Sequence, residues 1–315
     1  MDRRRFIAGA SALAAFSTSQ AWGQGATAPA AGANRLVLLG NKGGPSIRGY
    51  SPSPSSSLIV WNGVPYVIDA GYGVTFKLVE IGFPLPSLRY LFITHHHSDH
   101  NLEAVTLPYN AWAIGLKTQV DVYGPEGMGA MLDAGWVSNK FDIETRMADE
   151  GRPDLRKLVR GHAYKEGEVM RTSDVAVSAL RNKHPPIADS YALKFQFNGK
   201  TIVFSGDTTY FPPLADFAKG ADYLVHEVAY EPALKALAER KPNAATLIDH
   251  LKASHTMAED VGRIAAAAGV KNLVLNHFVP ADDKSLTPEV WTEAVRKTFD
   301  GPVIVGRDLL SIPLG

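Results

Sequence analysis

Tyr90-Leu91-Phe92-Ile93-Thr94-His95-His96-His97-Ser98-Asp99-His100 is the stretch on which the reading of this chain turns. An apolar run, Tyr90–Ile93, predicts a buried strand. It ends in a His-x-His-x-Asp-His run that throws four potential ligands, His95, His97, Asp99 and His100, into one loop. His95 and His97 are two residues apart and share a face in extended geometry. Asp99 and His100 then diverge as the chain turns and can reach a second ion. Imidazole and carboxylate suit zinc and related divalent ions where thiolate is unavailable. The interleaved Ser98-Asp99 and the preceding strand argue against a tag-like histidine run.

Composition sets the frame around this loop. The 315 residues are 45% hydrophobic, 20% charged and 9% aromatic, which is globular chemistry rather than disorder, collagen or coiled coil. Lys+Arg and Asp+Glu balance at 32 each, against a strongly basic nucleic-acid binder. Cysteine is absent, which removes disulfides, Cys-zinc fingers, iron–sulfur clusters and thiol nucleophiles. Any metal must be held by carboxylates and the ten histidines.

Residues 1–31 read as an export signal and leader: Arg3, Arg4 and Arg5, then Phe6-Ile7, then a short Ala-rich stretch and small residues near Ala21 and Gly23. The Arg-Arg-x-Phe-Ile order resembles a twin-arginine signal, which implies export of an already folded protein through the twin-arginine machinery to the periplasm. No other segment has some 18 consecutive apolar residues, so no membrane anchor is expected.

From residue 35 to 315 we expect one catalytic domain. Predicted strands are Leu36–Leu39, Leu58–Trp61, Pro65–Ile68, Tyr90–Ile93, Val120–Tyr123, Val175–Leu180, Leu193–Phe197, Thr201–Phe204, Tyr223–Val225, Leu273–Leu275 and Val303–Val305. Asn62-Gly63 and Asn198-Gly199 are hairpin-turn signals. Predicted helices are Gly127–Ala134, Pro232–Glu239, Ala258–Ala268 and Pro288–Thr298. Asp142–Leu158 reads as a charged, irregular excursion, and residues 229–254 as a helical insertion that could serve as a lid. Two β-rich blocks, each followed by helix, imply layered sheets covered by helices.

The His95-x-His97-x-Asp99-His100 run resembles the signature of the metallo-β-lactamase fold superfamily. That resemblance implies an α+β, four-layer αβ/βα sandwich with its metal site at one sheet edge. It also implies three further ligands, a His, an Asp and a His, in that order. His184 follows the strand Val175–Leu180, Asp207 follows Thr201–Phe204, and His277 follows Leu273–Leu275. Each alone is a weak signal; in order and at strand ends they are a strong one. By resemblance one ion takes His95, His97 and His184, the other takes Asp99, His100 and His277, and Asp207 bridges two divalent ions, most simply Zn(2+). Such a pair supplies a hydroxide near neutral pH and polarises the electrophile. Asp99 could also orient that hydroxide. Asp69 resembles the superfamily's supporting aspartate or is a strand-end turn residue.

Two more motifs narrow the branch. Val225-His226-Glu227-Val228 follows a strand, and Ser254-His255-Thr256-Met257-Ala258-Glu259 opens a helix, with Thr256 and Glu259 spaced as a capping box. They resemble motifs of the RNase Z-like branch, which includes arylsulfatase-type and cyclic-nucleotide phosphodiesterase-type enzymes. The resemblance makes His255 a candidate general acid or oxyanion contact and Glu227 its partner. His226 is expected to be structural, and His96, His162 and His250 to lie at the surface. Tyr109, Trp112, Tyr210 and Phe211 are candidate substrate walls.

The chain departs from RNase Z enzymes in having no long Gly/Pro/Lys-rich arm and no basic stripe. With export, that favours a small-molecule ester over nucleic acid, and a homodimer is only a family expectation. The function expected is hydrolysis of a small phosphodiester or sulfate ester by metal-bound hydroxide. The alternatives are a lactonase or β-lactamase-type acyl hydrolase and a non-catalytic metal-binding accessory protein.

Overall fold

The computed structural model describes residues 33–47, 52–239 and 244–315; the expected export signal lies outside them. Six strands open the chain: β1 (Arg35–Gly40), β2 (Ser56–Trp61), β3 (Val64–Ile68), β4 (Tyr90–Phe92), β5 (Val120–Gly124) and β6 (Val159–Ala163). They form one sheet, which is closed at its far edge by the last strand of the chain. A second sheet contains β7 (Gly167–Arg171), β8 (Val175–Arg181), β9 (Tyr191–Phe197), β10 (Lys200–Phe204), β11 (Tyr223–Ala229), β12 (Leu273–Val279) and β13 (Val303–Val305). The closing strand is β14 (Leu310–Pro313). The strand orders are β14-β1-β2-β3-β4-β5-β6 and β13-β12-β11-β10-β9-β8-β7. Within each sheet a parallel half, β3 to β6 and β10 to β13, adjoins an antiparallel half.

The sheets are buried on both faces, which explains their near-continuous apolar runs. In β1, Leu36 and Leu38 join the core between the sheets, with Phe92 and Phe195. Val37 and Leu39 turn the other way, beneath the helices Val74–Glu80, Thr106–Ala113 and Met128–Ser138. The helices Ala258–Ala268 and Pro288–Arg296 cover the outer face of the second sheet through Val261, Ile264 and Trp291. This is the four-layer αβ/βα sandwich expected.

Several expectations need correcting. Asp142–Leu158 is not irregular: Lys140–Glu150 is a helix and Leu155–Leu158 a short one. The longer helix buries only Ile143 and is laced by Arg146–Asp142 and Arg146–Glu150 pairs four residues apart, so it carries no apolar period. The edge strands β6 and β7 were not foreseen for the same reason, since each buries a single residue. Strand β11 continues through His226 and Glu227 to Ala229, so the helical insertion begins only at Glu231, as a pair of helices, Glu231–Glu239 and Ala244–Ser254. At Asn62-Gly63 both residues have positive φ, as a primed hairpin turn requires, whereas at Asn198-Gly199 only the glycine does. Among the described residues no helix is long and apolar enough to cross a membrane.

Candidate metal centre

The first ligand group comes from one strand end. Strand β4 stops at Phe92, and the chain turns into the short helix Ser98–Asn101, with His97 just before it and Asp99 and His100 buried inside it. The second sheet delivers the rest from the ends of alternate strands. His184 follows β8, and Asp207 follows β10 through Gly206, whose φ is +58° and whose Cβ, if present, would lie 2.4 Å from the Tyr191 carbonyl oxygen. Only glycine fits that approach. His277 is not after a strand, as expected, but within β12. The pairing skips from Glu227↔Asn276 to Val228↔Phe278, so His277 is the extra residue of a bulge at φ 45°. A bulge re-aims a side chain, and here it turns the imidazole into the site.

The side chains converge as the order of the motifs implied. His97 Nδ1 lies 3.0 Å from His95 Nε2 and 3.1 Å from His184 Nε2. Asp207 Oδ2 lies 3.1 Å from His277 Nε2, 3.3 Å from His100 Nε2 and 3.9 Å from both His95 and His184 Nε2. Asp99 Oδ2 is 3.4 Å from His277 Nε2 and 3.6 Å from His100 Nε2, and also accepts from the Gly44 N–H at 2.8 Å. Thus His95, His97, His184 and Asp207 form one group able to hold an ion, and Asp99, His100 and His277 another, with Asp207 within reach of both. Zinc–nitrogen bonds near 2.0–2.1 Å in a tetrahedron put ligand atoms about 3.3 Å apart, close to these spacings.

Hydrogen bonds behind the imidazoles fix which nitrogen faces inward. Asp69 Oδ2 accepts from His100 Nδ1 at 2.7 Å, and the Ser254 carbonyl accepts from His184 Nδ1 at 2.9 Å. The Thr94 hydroxyl donates to Asp69, so its oxygen accepts from His95 Nδ1 at 3.0 Å. In its neutral, metal-binding form each of these three rings keeps its proton on the outward Nδ1 and presents the Nε2 lone pair to the centre. Two lone pairs beside His97 Nδ1 can share at most one proton, and the buried His100 Nε2 has no well-directed hydrogen-bond partner. A cation in each group would give these nitrogens a partner, so the residues fit a metal. Asp69, at φ +59° where the chain turns, also supports His100 and Thr94 through its carboxylate.

The protonation tendencies agree. Burial pushes His95, His97 and His184 down, towards neutral imidazole. Burial also opposes charge on His100 and His277, but Asp207 and its fellow carboxylates outweigh it, raising His100 well above the usual range and His277 to about 10. Despite their burial, Asp99 and Asp207 are held low by these imidazoles.

His255 stands beside this cluster, its ring 5.4 Å from that of His184 and 5.5 Å from that of His277. Its Nδ1 donates to Glu227 Oε2 at 2.8 Å, and Glu227 Oε1 accepts from the Thr208 N–H at 2.7 Å. Burial opposes its charge, and Glu227 more than compensates, so its pKa is raised. The capping box does not form. Met257 precedes the helix, the Thr256 hydroxyl donates to the Thr208 carbonyl at 2.6 Å, and Glu259 pairs with Lys297. Thr256 therefore ties His255 to the Asp207 loop.

The centre opens into a cavity of about 610 Å³. Its walls are the Lys42–Ser46 loop, the Val279–Lys284 segment and the helix pair, through Ala233, Ala236, Leu247, His250 and Leu251. The four aromatic wall candidates lie elsewhere. Trp112 is fully buried in the core and Tyr109 packs against it, Phe211 packs beneath the second sheet, and Tyr210 is exposed. Of the histidines expected at the surface, His96 caps the Glu126 carbonyl and His162 pairs with Asp121, whereas His250 faces the cavity. His226 is buried, with Nδ1 donating to the Glu227 carbonyl at 2.7 Å, as a structural residue should be. Lys42, fully buried with Nζ on the Ser46 carbonyl, and Ser254 were missed, because nothing in their local sequence marks them.

The chain resembles known proteins over most of its length. Ribonuclease Z of Mycobacterium marinum is 27% identical over 277 residues, covering 87% of this chain and 96% of that protein. The metallo-β-lactamase fold protein YhfI from Bacillus subtilis superposes with a TM-score of 0.65 at 20% identity, over 89% of this chain and 99% of that one. Zn(2+)-bound PqqB from Methylobacterium extorquens superposes with a TM-score of 0.64 at 13% identity, over 89% of this chain and all of that one. The fold is that of the metallo-β-lactamases. The family described as Anti-Pycsar protein Apyc1 matches residues 35–239, which include every candidate ligand except His277. That match spans well over half of the sequence, and the chain belongs to the Anti-Pycsar protein Apyc1 family.

Proposed function

We propose that the chain is a dinuclear metal-dependent hydrolase of small phosphodiesters, with sulfate esters as the neighbouring substrate class. His95, His97 and His184 would hold one divalent ion, Asp99, His100 and His277 the other, with Asp207 between them; zinc suits this donor set. When bound, the ions supply Lewis acidity and a water acidified enough to attack near neutral pH.

The observation that carries the reading is the 2.8 Å pair of Glu227 with His255, which stands on the cavity wall. A phosphoryl or sulfuryl centre presents more non-bridging oxygens than an acyl carbon, and a leaving alkoxide that needs a proton. His255, with Nδ1 committed to Glu227 and its pKa raised by that carboxylate, is poised to carry a second proton on Nε2 beside His184 and His277. Glu227 is in turn fixed by the Thr208 N–H.

A small ester is favoured over a polynucleotide although the relative's name, ribonuclease Z, stands against excluding nucleic acid. Among the described lining residues only Lys42 and Lys284 are permanent cations, and Asp282 and Asp283 lie beside them. A polynucleotide is ordinarily gripped through many phosphates. The proposal also includes export to the periplasm, which rests on the signal-like residues 1–31 with their Arg-Arg-x-Phe-Ile order; fractionation of cells producing the full chain tests it.

The activity is tested on metal-loaded protein with a bis-aryl phosphodiester, an aryl sulfate, a chromogenic β-lactam and a lactone in parallel. Chelator-sensitive turnover of the phosphodiester, with the sulfate next, is expected. Preference for the lactam or lactone would refute the reading.

A further inference from the structure

The helix Ala244–Ser254 brings one more histidine to the cavity, one that neither the metal cluster nor the His255–Glu227 pair uses. His250 lines the cavity, half-buried, beside Leu247 and Leu251. Its Nδ1 lies 3.3 Å from Ser254 Oγ. The Ser254 hydroxyl proton is already committed, because it donates to the Pro185 carbonyl at 2.7 Å. Ser254 Oγ can therefore only accept from His250, which places the imidazole proton on Nδ1. Nε2 is left as an acceptor on a ring that lines the cavity.

We propose that His250 is a substrate-recognition group, its Nε2 accepting a hydrogen bond from a hydroxyl or N–H on the ester's non-reacting group. Resting on the phosphodiesterase reading, this narrows the substrate to diesters whose second alcohol carries a hydrogen-bond donor. Burial, and after it His255, lowers the pKa of His250, which keeps the ring neutral and able to accept. The apolar side chains around it make an unmet acceptor costly, so a donor-free substrate is disfavoured. Ser254 is a positioning residue: its hydroxyl sets the tautomer of His250, while its carbonyl separately holds His184 Nδ1.

The test uses the metal-loaded chain and an isosteric pair, 3-hydroxypropyl and n-butyl 4-nitrophenyl phosphate, with bis(4-nitrophenyl) phosphate as the donor-free reference. Wild type should prefer the hydroxypropyl ester over the butyl ester by about tenfold in kcat/KM. His250→Phe should abolish that preference while leaving the reference ester within about twofold. Ser254→Ala should weaken the preference with metal content unchanged. Nitrogen-15 NMR of the histidines should show His250 protonated on Nδ1 in wild type, a readout independent of turnover and of whether the variants fold. A preference that survives His250→Phe, an equal loss on all three esters, or a proton found on Nε2 overturns the proposal. If wild type cleaves the reference ester without preferring the hydroxypropyl ester, only the His250 proposal fails. If metal-loaded wild type cleaves none of the diesters, the phosphodiesterase reading fails and takes it along.

Discussion

On one side of Asp207 stand three imidazoles, His95, His97 and His184; on the other stand Asp99, His100 and His277, with Asp69 behind them. Burial keeps the first group neutral, with lone pairs turned inward. On the second side the carboxylates win over burial and hold His100 and His277 protonated when no ion is present. The same residue types, at similar depth, are thus poised differently because negative charge is concentrated on one side. An ion entering the imidazole side meets free lone pairs. An ion entering the carboxylate side must displace protons, which it can do because it supplies the same positive charge.

Asp207 belongs to both sides, so its removal should have the largest effect. Asp207→Ala should lose most bound metal and reduce turnover by about 10⁴-fold or more, measured by elemental analysis and steady-state kinetics. His255→Ala should separate chemistry from metal binding, keeping both ions while kcat falls by about 10²–10⁴-fold. The loss should shrink for esters with strongly acidic leaving groups, which need no proton; full activity in His255→Ala would sink the acid role. Asp69→Asn acts directly on His100 and, through Thr94, on His95, and should weaken metal affinity by about 10–100-fold, more on the carboxylate side than on the imidazole side.

The pH dependence of stability sharpens the contrast further. For a group raised in the folded state, as His277 is, the stabilisation is fully present below the ordinary imidazole value near 6.5 and is lost as pH rises through about 10. The melting temperature of metal-free protein should therefore fall between pH 7 and 10. Metal-loaded protein, in which the ion replaces that proton, should show little such fall over the same range. Parallel curves would mean that His277 is not held protonated by Asp207 and Asp99.

What could be read from the sequence follows from how local the signal is. The run His95–His100 is legible because four ligands sit in one loop, and His184, Asp207 and His277 because each stands near an apolar strand. The central strands of both sheets are legible because they are buried on two faces, whereas the edge strands β6 and β7 and the exposed helix Lys140–Glu150 are not, because they bury almost nothing. The bulge at His277 depends on pairing with β11, which no local pattern encodes. Thr256 and Glu259 have capping spacing, yet the Thr208 carbonyl, distant in sequence, takes the hydroxyl. The cavity wall was sought in aromatics near the ligands, but the helix pair supplies small and aliphatic residues with His250 instead. Long-range contacts decided each of these.

The central claim is that two ions share Asp207. Anomalous diffraction at the zinc edge, from crystals of the metal-loaded chain, tests it most directly. Two peaks about 3.5–4 Å apart are expected, one against His95, His97 and His184, the other against Asp99, His100 and His277, with Asp207 between them. A single peak at saturating zinc, or a second one away from Asp99, His100 and His277, would contradict it.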